Sequence, residues 1–370
     1  MKIAFVYDAV WPWKTGGIQK RVWELSRRLA TDHDVHWYGL HYWDGPAVIE
    51  REEVTVHGVG PARDLYVNGR RSIPEALSFA VRLVRPLRRK SFDVIDCQEF
   101  PYFPVFASEF GTLGNGAQLC LTWHEVWNDY WFDYLGWKGI VGKTVERLCS
   151  YPPDVHVAVS QRTRRDVHEL GVDTVKLLPN AITMAEIEAA QTADRNVDVL
   201  FVGRFIAEKN AALLIRAIDE LRCSDPDIEC LLVGEGPERE SIEQRIARRD
   251  LQGNIDVVSF RESYEEVLDL MKAADVFVSP SCREGFGITA LESLACGTPV
   301  VTIAHPQNAV QELVDDGSTG VICEPTVDGL CRGLRRARDI IGGSACVDAA
   351  QKYEWDHIAE QAETIFSEVA

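Results

Sequence analysis

Three short segments of this 370-residue chain place glycines and charged residues directly after apolar runs that are typical of buried strands. Their glycines and charged residues include Gly16, Gly17, Arg204, Lys209, Glu284, Gly285, Gly287 and Glu292. Glycine lets a backbone approach a ligand closely, arginine and lysine bind phosphate, and carboxylates accept hydrogen bonds from sugar hydroxyls. These residue types indicate chemistry on phosphate and sugar groups.

Arg204 and Lys209 follow the apolar run at 198–202, where a strand would end and a helix begin. An arginine can bind a phosphate through two parallel hydrogen bonds, while a lysine acts as a point charge. Two cations five residues apart in an acidic half of the chain therefore favour an anion site. Solvated surface charge explains the pair equally well when the pair is considered alone.

The most specific local pattern runs from Glu284 to Glu292, after the apolar run at 275–279. Its glycines leave backbone amides accessible at a predicted helix start, where the helix dipole favours an anion. Two carboxylates eight residues apart on one loop and helix could hold two separate sugars. The alternative is a solvated loop acid and a solvated helix acid.

The elements that must position these segments follow from the chain's periodicity. Short apolar runs alternate with segments of helical period, which predicts parallel sheets covered by helices on both faces. The alternation begins again near 197–204, so we predict an α/β protein with two doubly wound domains. We place the first at 1–180 and the second at 181–354, with a C-terminal helix at about 355–370 that could cross back to the first. In such sheets, ligands bind at the carboxyl ends of the strands.

Composition and charge exclude several classes of protein. Apolar residues are 46% and charged residues 26%, as in an ordinary globular enzyme. The net charge of −18 lies entirely in residues 181–370, which hold 17 basic and 35 acidic residues, so we expect no nucleic-acid partner. Asp8 comes too early for a signal peptide, and no apolar run approaches the roughly 18 residues that span a bilayer. The expected location is the cytoplasm.

Three other motifs could indicate a cofactor or a metal, but each departs from the pattern that such a site requires. The segment 234–239 follows a strand like a dinucleotide fingerprint, but it lacks the third glycine and carries Pro237 in its loop. The Asp-x-Asp segments at 32–34 and 225–227 precede their strands, so they fall on the sheet edge away from a ligand. The ten cysteines form no C-x-x-C pair, which argues against a zinc site. We expect neither a cofactor nor a metal.

Taken together, these motifs resemble the family-4 retaining glycosyltransferases of the GT-B fold. The resemblance spans nearly the whole chain, and its specific part is the Glu-x7-Glu pattern. The segments that carry it are Gly16-Gly17, Gly203-Arg204 with Glu208-Lys209, 284–301, 179–182 and 232–237. It implies two Rossmann-like domains facing a cleft. It also implies transfer of a sugar from a nucleotide-diphosphate sugar to a glycan or lipid-linked acceptor, and the position of the Asp-x-Asp segments indicates that the transfer is metal-independent.

On the donor side, the resemblance implies that Arg204 and Lys209 bind the diphosphate. The backbone of Gly16-Gly17 would assist them, and Glu292 would hold the ribose. The groups that would hold the donor sugar are Glu284, Gly285 and the amides of Phe286, Gly287 and Ile288.

Beside the reacting carbon, the resemblance implies that His124 and Glu284 act as the catalytic side chains. Gln19 would face the acceptor. Asn180-Ala181 stands at the domain junction where this family more often has Asn-Gly. Two other functions stay open, a sugar-nucleotide epimerase of the same fold and a non-catalytic binder of nucleotide sugars or glycans.

Two further features concern the acceptor. Residues 70–90 contain seven basic residues against Glu75 alone, and Phe79, Leu83 and Val84 would supply an apolar side. Such a helix can lie on an anionic membrane surface, and a solvated helix face is the alternative. Seven aromatic residues between 123 and 137 could stack on an acceptor sugar, reach a membrane or pack in the core.

Overall fold

The computed structural model describes residues 1–67, 70–114, 116–259, 263–340 and 342–370. The chain divides into two units. Unit 1 comprises Met1–Asn180 and Trp355–Ala370, and unit 2 comprises Ala181–Glu354. Within the described ranges, no helix is both long enough and apolar enough to cross a membrane.

Unit 1 is a parallel sheet with helices between its strands. The strands are β1 (Lys2–Val6), β2 (Asp34–His41), β3 (Val48–Arg51), β4 (Val54–Pro61), β5 (Tyr66–Val67), β6 (Arg70–Arg71), β7 (Val94–Gln98), β8 (Gln118–Trp123), β9 (Val155–Ala158) and β10 (Val175–Leu177). The helices are α1 (Gly17–Leu29), α2 (Ile73–Arg89), α3 (Phe103–Thr112), α4 (Tyr130–Leu135), α5 (Gly139–Leu148) and α6 (Gln161–Glu169). The C-terminal helix of the chain (Trp355–Ser367) also belongs to this unit.

The main sheet of unit 1 has the strand order β10-β9-β8-β7-β1-β2-β4-β3 over the described residues. Its neighbouring strands are parallel except for β3 and β4, and β5 pairs with β6 in a separate antiparallel ribbon. The chain builds outward from β1 to β4 and then returns to β7 on the other side of β1. The loops after β1 and β7 therefore flank a switch point, where open parallel sheets bind ligands.

The C-terminal helix packs on unit 1 through apolar and ionic contacts. The rings of Phe5 and Phe366 lie 6.3 Å apart in an edge-to-face arrangement. Lys176 Nζ lies 2.7 Å from a carboxylate oxygen of Glu368, directly after the helix. This segment carries acidic residues that face basic groups of unit 1, so charge and apolar packing favour the same position.

Arg21 of α1 is a fully buried cation. It anchors the C-terminal end of the segment Met1–Asn180. Its guanidinium donates to the carbonyl oxygens of Pro179 at 2.7 Å and Leu178 at 3.0 Å, and to Asn180 Oδ1 at 3.1 Å. Burial lowers the pKa of Arg21 to about 10, so the group stays charged at neutral pH. Asn180, at the junction, therefore has a structural partner within unit 1.

Unit 2 repeats the alternation of strand and helix. Its strands are β11 (Val197–Val202), β12 (Cys230–Val233), β13 (Ile255–Val258), β14 (Ala274–Ser279), β15 (Val300–Ile303) and β16 (Gly320–Cys323). Its helices are α7 (Met184–Ala189), α8 (Ala211–Leu221), α9 (Arg239–Ala247), α10 (Tyr264–Ala273), α11 (Ile288–Ala295), α12 (Val327–Arg338) and α13 (Ser344–Gln351). The C-terminal helix of unit 1 is α14 (Trp355–Ser367). In the part of the chain that is described, the parallel strands follow the order β13-β12-β11-β14-β15-β16. The switch point lies between β11 and β14.

The expectation of an exposed apolar side from Phe79 and Leu83 was wrong, and two of the aromatic residues near His124 follow the core-packing alternative. Phe79 and Leu83 of α2 are fully buried in the core of unit 1, so they do not supply an exposed apolar side. Of the aromatic residues near His124, Trp123 and Trp131 are also buried. In each case the side chain fills the space between the sheet and its covering helices, where burial of a large apolar group is most favourable.

A buried histidine pair lies between β2 and β4. His36 Nδ1 is 2.9 Å from His57 Nε2, and the His57 ring stacks on Tyr38 at 4.4 Å. Burial, together with the charge of Lys90, lowers the pKa of His36 to about 4 and that of His57 to about 3. Both rings are therefore neutral in the folded protein at neutral pH.

We expect acid to destabilise unit 1 through this pair. Unfolded histidines protonate below their ordinary pKa of 6.5, whereas the folded pair stays neutral down to about pH 4. The stability is therefore complete above pH 6.5 and falls as the pH drops, by about 1.4 kcal/mol per pH unit for each histidine. His57→Gln, which keeps a partner for His36, should show a correspondingly shallower fall. Urea unfolding midpoints between pH 7 and 4.5 measure this, and equal shifts in the two proteins would contradict it.

Candidate active site

The switch point of unit 2 brings two of the predicted segments together. Gly203 and Arg204 follow β11, and the segment from Pro280 follows β14. A side chain at Gly234 would collide with the carbonyl oxygen of Gly203, so this glycine lets the loop after β12 approach the loop after β11. Cys282 N donates to Glu208 O at 2.8 Å, which joins the loops after β11 and β14 directly.

Lys209 and Glu284 form an ion pair at this switch point. Lys209 ends a 3-10 turn (Ala207–Lys209), and Asn210 after it adopts a left-handed conformation with φ of 53° before α8 begins. The two side chains are partly buried, so each orients the other. Arg204 is exposed on the same loop. The structure thus places Lys209 beside Glu284, with Arg204 on the loop that carries Lys209.

The backbone around Glu284 is fixed by the loop after β15. Glu284 N donates to Gln307 O at 2.9 Å, and Ala309 N donates to Glu284 O at 2.9 Å. The buried Asn308 holds that loop, because its amide nitrogen donates to Thr302 Oγ1 at 2.9 Å. The carboxylate of Glu284 is therefore mounted on a rigid part of the sheet edge.

The glycines of the Glu284 segment have different structural reasons. Gly287 has a φ of 97°, and a Cβ there would run into Val310, so this position requires glycine. Gly287 also lacks a side chain that could cap α11, which leaves the amides of Ile288 and its neighbours for another acceptor. Phe286 is buried and packs edge-to-face on Tyr353 with ring centroids 5.8 Å apart.

Glu292 is buried on α11, which is unusual for a carboxylate. The Tyr264 hydroxyl donates to Glu292 Oε1 at 2.6 Å. Burial and the neighbouring carboxylate raise the pKa of Tyr264, so the tyrosine remains a hydrogen-bond donor at any working pH. Sequence analysis missed Tyr264, which lies in the first turn of α10 after the N-cap Ser263.

In unit 1, the predicted residues after β1 lie at the start of α1. Gln19 folds back over the helix start, so a Cβ at Gly16 would lie only 2.6 Å from Gln19 Oε1. A Cβ at Gly17 would meet nothing within 4 Å. A side chain at 16 would therefore require only that the end of the Gln19 side chain move aside, and the unit has room for a side chain at 17. Both glycines are exposed and leave the first-turn amides of the helix accessible.

The bulky Trp13 beside this loop packs away from the glycines. Its ring lies 5.0 Å from the ring of Trp43, and the guanidinium of Arg51 lies 5.4 Å from it. Arg51 Nη1 also donates to the carbonyl oxygen of Trp11 at 3.0 Å. The aromatic residues before Gly16 therefore support the loop from one side.

His124 follows β8 and ends a buried chain of hydrogen bonds. Thr122 Oγ1 and Gln98 Nε2 both donate to the buried Asp96 carboxylate, at 2.7 and 3.1 Å. Because the Gln98 amide nitrogen faces Asp96, its Oε1 faces His124 Nε2 at 2.8 Å and accepts from it. His124 is thereby held as the tautomer with the proton on Nε2, and Nδ1 is the acceptor nitrogen.

The electrostatics keep this ring neutral. Burial lowers the pKa of His124 well below its ordinary value, and Arg21 lowers it further. His124 can therefore accept a hydrogen bond through Nδ1 at neutral pH, but it is not a cation there.

Glu99 is a site residue that sequence analysis missed. It follows β7 directly, at the switch point of unit 1, and its carboxylate accepts from His124 N at 3.1 Å. Burial raises the pKa of Glu99 well above its ordinary range, and the carboxylates of Glu125 and Glu146 add to the effect. The signal was available, because Glu99 is the first residue after the buried strand at 94–98.

Comparison with known proteins decides the family. The description "Glycosyltransferase Family 4" matches residues 15–186, and "Glycosyl transferases group 1" matches residues 184–339. The chain belongs to the family-4 glycosyltransferases. The two matches meet at the junction of the two units and together include every predicted site residue.

Similar proteins include both sequence relatives and solved structures. The glycosyltransferase is 27% identical to the alpha-maltose-1-phosphate synthase of Mycolicibacterium smegmatis, over the full length of both chains. The sucrose-phosphate synthase of Thermosynechococcus elongatus has a TM-score of 0.81 at 19% identity, covering 99% of this chain and 98% of that one. Alr3699/HepE of Anabaena, solved with UDP-glucose, has a TM-score of 0.76 at 18% identity, covering 99% and 100%. The predicted GT-B fold is confirmed.

Proposed function

We propose that this glycosyltransferase moves a sugar from a nucleotide-diphosphate sugar to an acceptor, with retention of configuration and without a metal ion. The observation that carries the proposal is the Lys209–Glu284 pair at the switch point of unit 2. A cation suited to a diphosphate and an anion suited to sugar hydroxyls lie side by side there. The amides at the start of α11 add donors for an anion or a hydroxyl. The UDP-glucose bound by the Anabaena protein supports a donor of this class.

In the proposed reaction, unit 2 holds the donor. Arg204 and Lys209 stabilise the negative charge that grows on the diphosphate as it leaves, which is the largest electrostatic demand of the reaction. Tyr264 holds one oxygen of Glu292, so the carboxylate is oriented before the ribose arrives. The departing phosphate takes the proton of the acceptor on the same face of the sugar, and this gives retention.

The neutral state of His124 suits a reaction in which the sugar ring becomes positive. A protonated histidine beside that ring would oppose the developing charge, whereas a neutral ring accepts a hydrogen bond from a sugar hydroxyl without adding charge. The chain Thr122–Asp96–Gln98 fixes the tautomer that this role needs. We therefore assign His124 to orientation of the sugar, with Glu99 holding its backbone.

We expect Arg204→Ala and Lys209→Ala each to lower turnover at least about ten-fold, because a donor aimed at developing charge typically contributes a few kcal/mol. A thermal-shift screen of UDP-, GDP- and ADP-sugars first identifies the donor. Release of nucleotide diphosphate from that donor then measures turnover, and the sugar product should keep the donor's configuration. The exposed Arg216→Ala on α8 is the matched control and should retain full activity. Near wild-type rates in both site variants would refute the diphosphate assignment, and an epimerised sugar would refute the transfer.

We also expect EDTA to leave turnover unchanged within about two-fold. Asp34 begins β2 and Asp227 precedes β12, so both Asp-x-Asp segments lie at amino ends of strands. Among the described residues, no group of three or more His, Cys, Asp or Glu side chains is arranged to hold an ion. Positive charge at the diphosphate then comes from Arg204 and Lys209. Activity that is lost in EDTA and restored by Mg²⁺ or Mn²⁺ would overturn this part of the proposal.

We propose further that unit 1 contacts an anionic membrane through α2. Arg85 and Arg88 are exposed on the helix, and the exposed Leu77 and Val81 lie on the adjoining strip of the same face. Arg85→Glu with Arg88→Glu should reduce co-sedimentation with anionic vesicles severalfold, because each basic residue near the surface contributes about 1 kcal/mol.

The matched control for the vesicle experiment is Arg245→Glu on α9 with Arg248→Glu at its C-cap. These residues are exposed as well, and the change in net charge is the same. The difference between the two variants should shrink as salt rises. If both variants sediment like the wild type at low salt, the basic face of α2 is merely solvated.

A further inference from the structure

Unit 1 contains a cavity of about 550 Å³ that the proposed reaction does not use. It lies between the first turn of α2, the segment 100–103, and the helices α4 and α5. The volume is within the range of roughly 300–1,000 Å³ that is usual for small-molecule sites. The cavity is therefore large enough to receive part of a substrate.

The walls of the cavity are almost entirely carbon, because the nearby hydroxyls are engaged elsewhere. Tyr102 donates its hydroxyl proton to the buried Glu146 at 2.7 Å, and the Tyr134 hydroxyl accepts from Arg71 N at 3.0 Å. The remaining wall includes the side chains of Phe100, Leu135, Val141 and Val145. A sugar or nucleotide in this space would lose its hydrogen bonds to water, whereas a hydrocarbon chain would gain by leaving water.

The cavity begins at the catalytic edge of the sheet. Phe100, which lines it, directly follows Glu99, and Glu99 accepts a hydrogen bond from His124 N. The Phe100 ring stacks on Trp127, three residues beyond His124, with ring centroids 5.4 Å apart. A molecule with its reacting end near His124 could therefore extend its other end into the cavity.

The mouth of the cavity is apolar and exposed. Trp137 and Val141 line the cavity and are 80% and 63% exposed, and Ile73 on α2 is 55% exposed. Lys138 lies beside them and is also exposed. Exposed apolar side chains that surround a groove mark a surface that binds an apolar partner, and the neighbouring cation complements a negative head group.

We propose that this cavity holds the hydrocarbon chain of an anionic lipid that serves as the acceptor. The inference rests on the proposed function and narrows its acceptor from glycans or lipids to a lipid with a long alkyl or prenyl chain. The chain lies against Phe100, Leu135 and Val145, the charged head group lies by Lys138, and the hydroxyl that receives the sugar points to the edge that carries His124.

The test compares two probes, dodecyl phosphate and butyl phosphate, by calorimetry below micelle-forming concentrations. Both carry the same phosphate, so binding at any phosphate site in the chain does not separate them. We expect the wild type to bind the dodecyl probe at least about ten-fold more tightly, since each buried methylene favours binding. Val141→Trp at the mouth should remove this difference. Its neighbour Ile140→Trp is the matched control, because Ile140 is exposed but does not line the cavity.

Each outcome decides one point. A second variant, Val141→Asp, places a charge at the mouth of the cavity. Equal binding of the two probes by the wild type would overturn the cavity assignment. A chain-length preference that survives both Val141→Trp and Val141→Asp would overturn it as well. The thermal shift given by the nucleotide-sugar donor is measured in parallel and should not change in Val141→Trp. The absence of a shift with every nucleotide sugar in the wild type would refute the proposed function, while a chain-length preference lost only in the Val141 variants would still support the lipid site.

Discussion

Both sheets of this protein consist mainly of parallel strands buried on both faces, and this constraint determines where the chain can hold a polar ligand. The residues Ile3 to Val6 of β1 and Cys230 to Val233 of β12 are all buried. A charged side chain can therefore reach a ligand in the solvent only from a strand end. The strand order in the sheet determines which strand ends are neighbours. In unit 2 the order places the loop with Lys209 beside the loop with Glu284. In unit 1 it places the loops after β1 and β7 together.

The polar network of unit 1 shows how buried groups can fix a chemical state. Asp96 accepts two hydrogen bonds, so the Gln98 amide has one orientation, and His124 consequently has one tautomer. Burial and Arg21 then keep the His124 ring neutral. Arg21 also binds the carbonyl groups at 178 and 179, so the same buried cation influences the histidine and anchors the end of the segment. A buried polar network is destabilising when one of its groups lacks a partner. The strands and the helix that carry these groups hold them in place, so each group keeps its partner.

Much of the fold could be predicted from the sequence, because the apolar periods of strands and helices differ clearly. The alternation of strands and helices also begins again once along the chain, which indicates two domains. The rule that ligands lie after strands found the segments at 16, 203 and 280. The same rule applies to Glu99, which directly follows the strand at 94–98, but the place of that strand beside β1 is set by tertiary packing and is not written in the local pattern. Tyr264 was missed for a related reason. Its contact with Glu292 joins α10 to α11 across 28 residues, and local pattern does not encode such a distance.

The sequence did not show which face of α2 is buried, because two faces of this helix both carry apolar residues. Phe79 and Leu83 lie on its buried face, whereas Ile73, Leu77 and Val81 recur every four residues on its exposed face. The sequence alone cannot rank these stripes by hydrophobicity, since both contain large side chains. The sheet decides, because it can cover one face only. The face left in water is then the informative one, since apolar side chains that the fold does not need are retained at a cost in solubility and indicate a surface that meets another apolar phase.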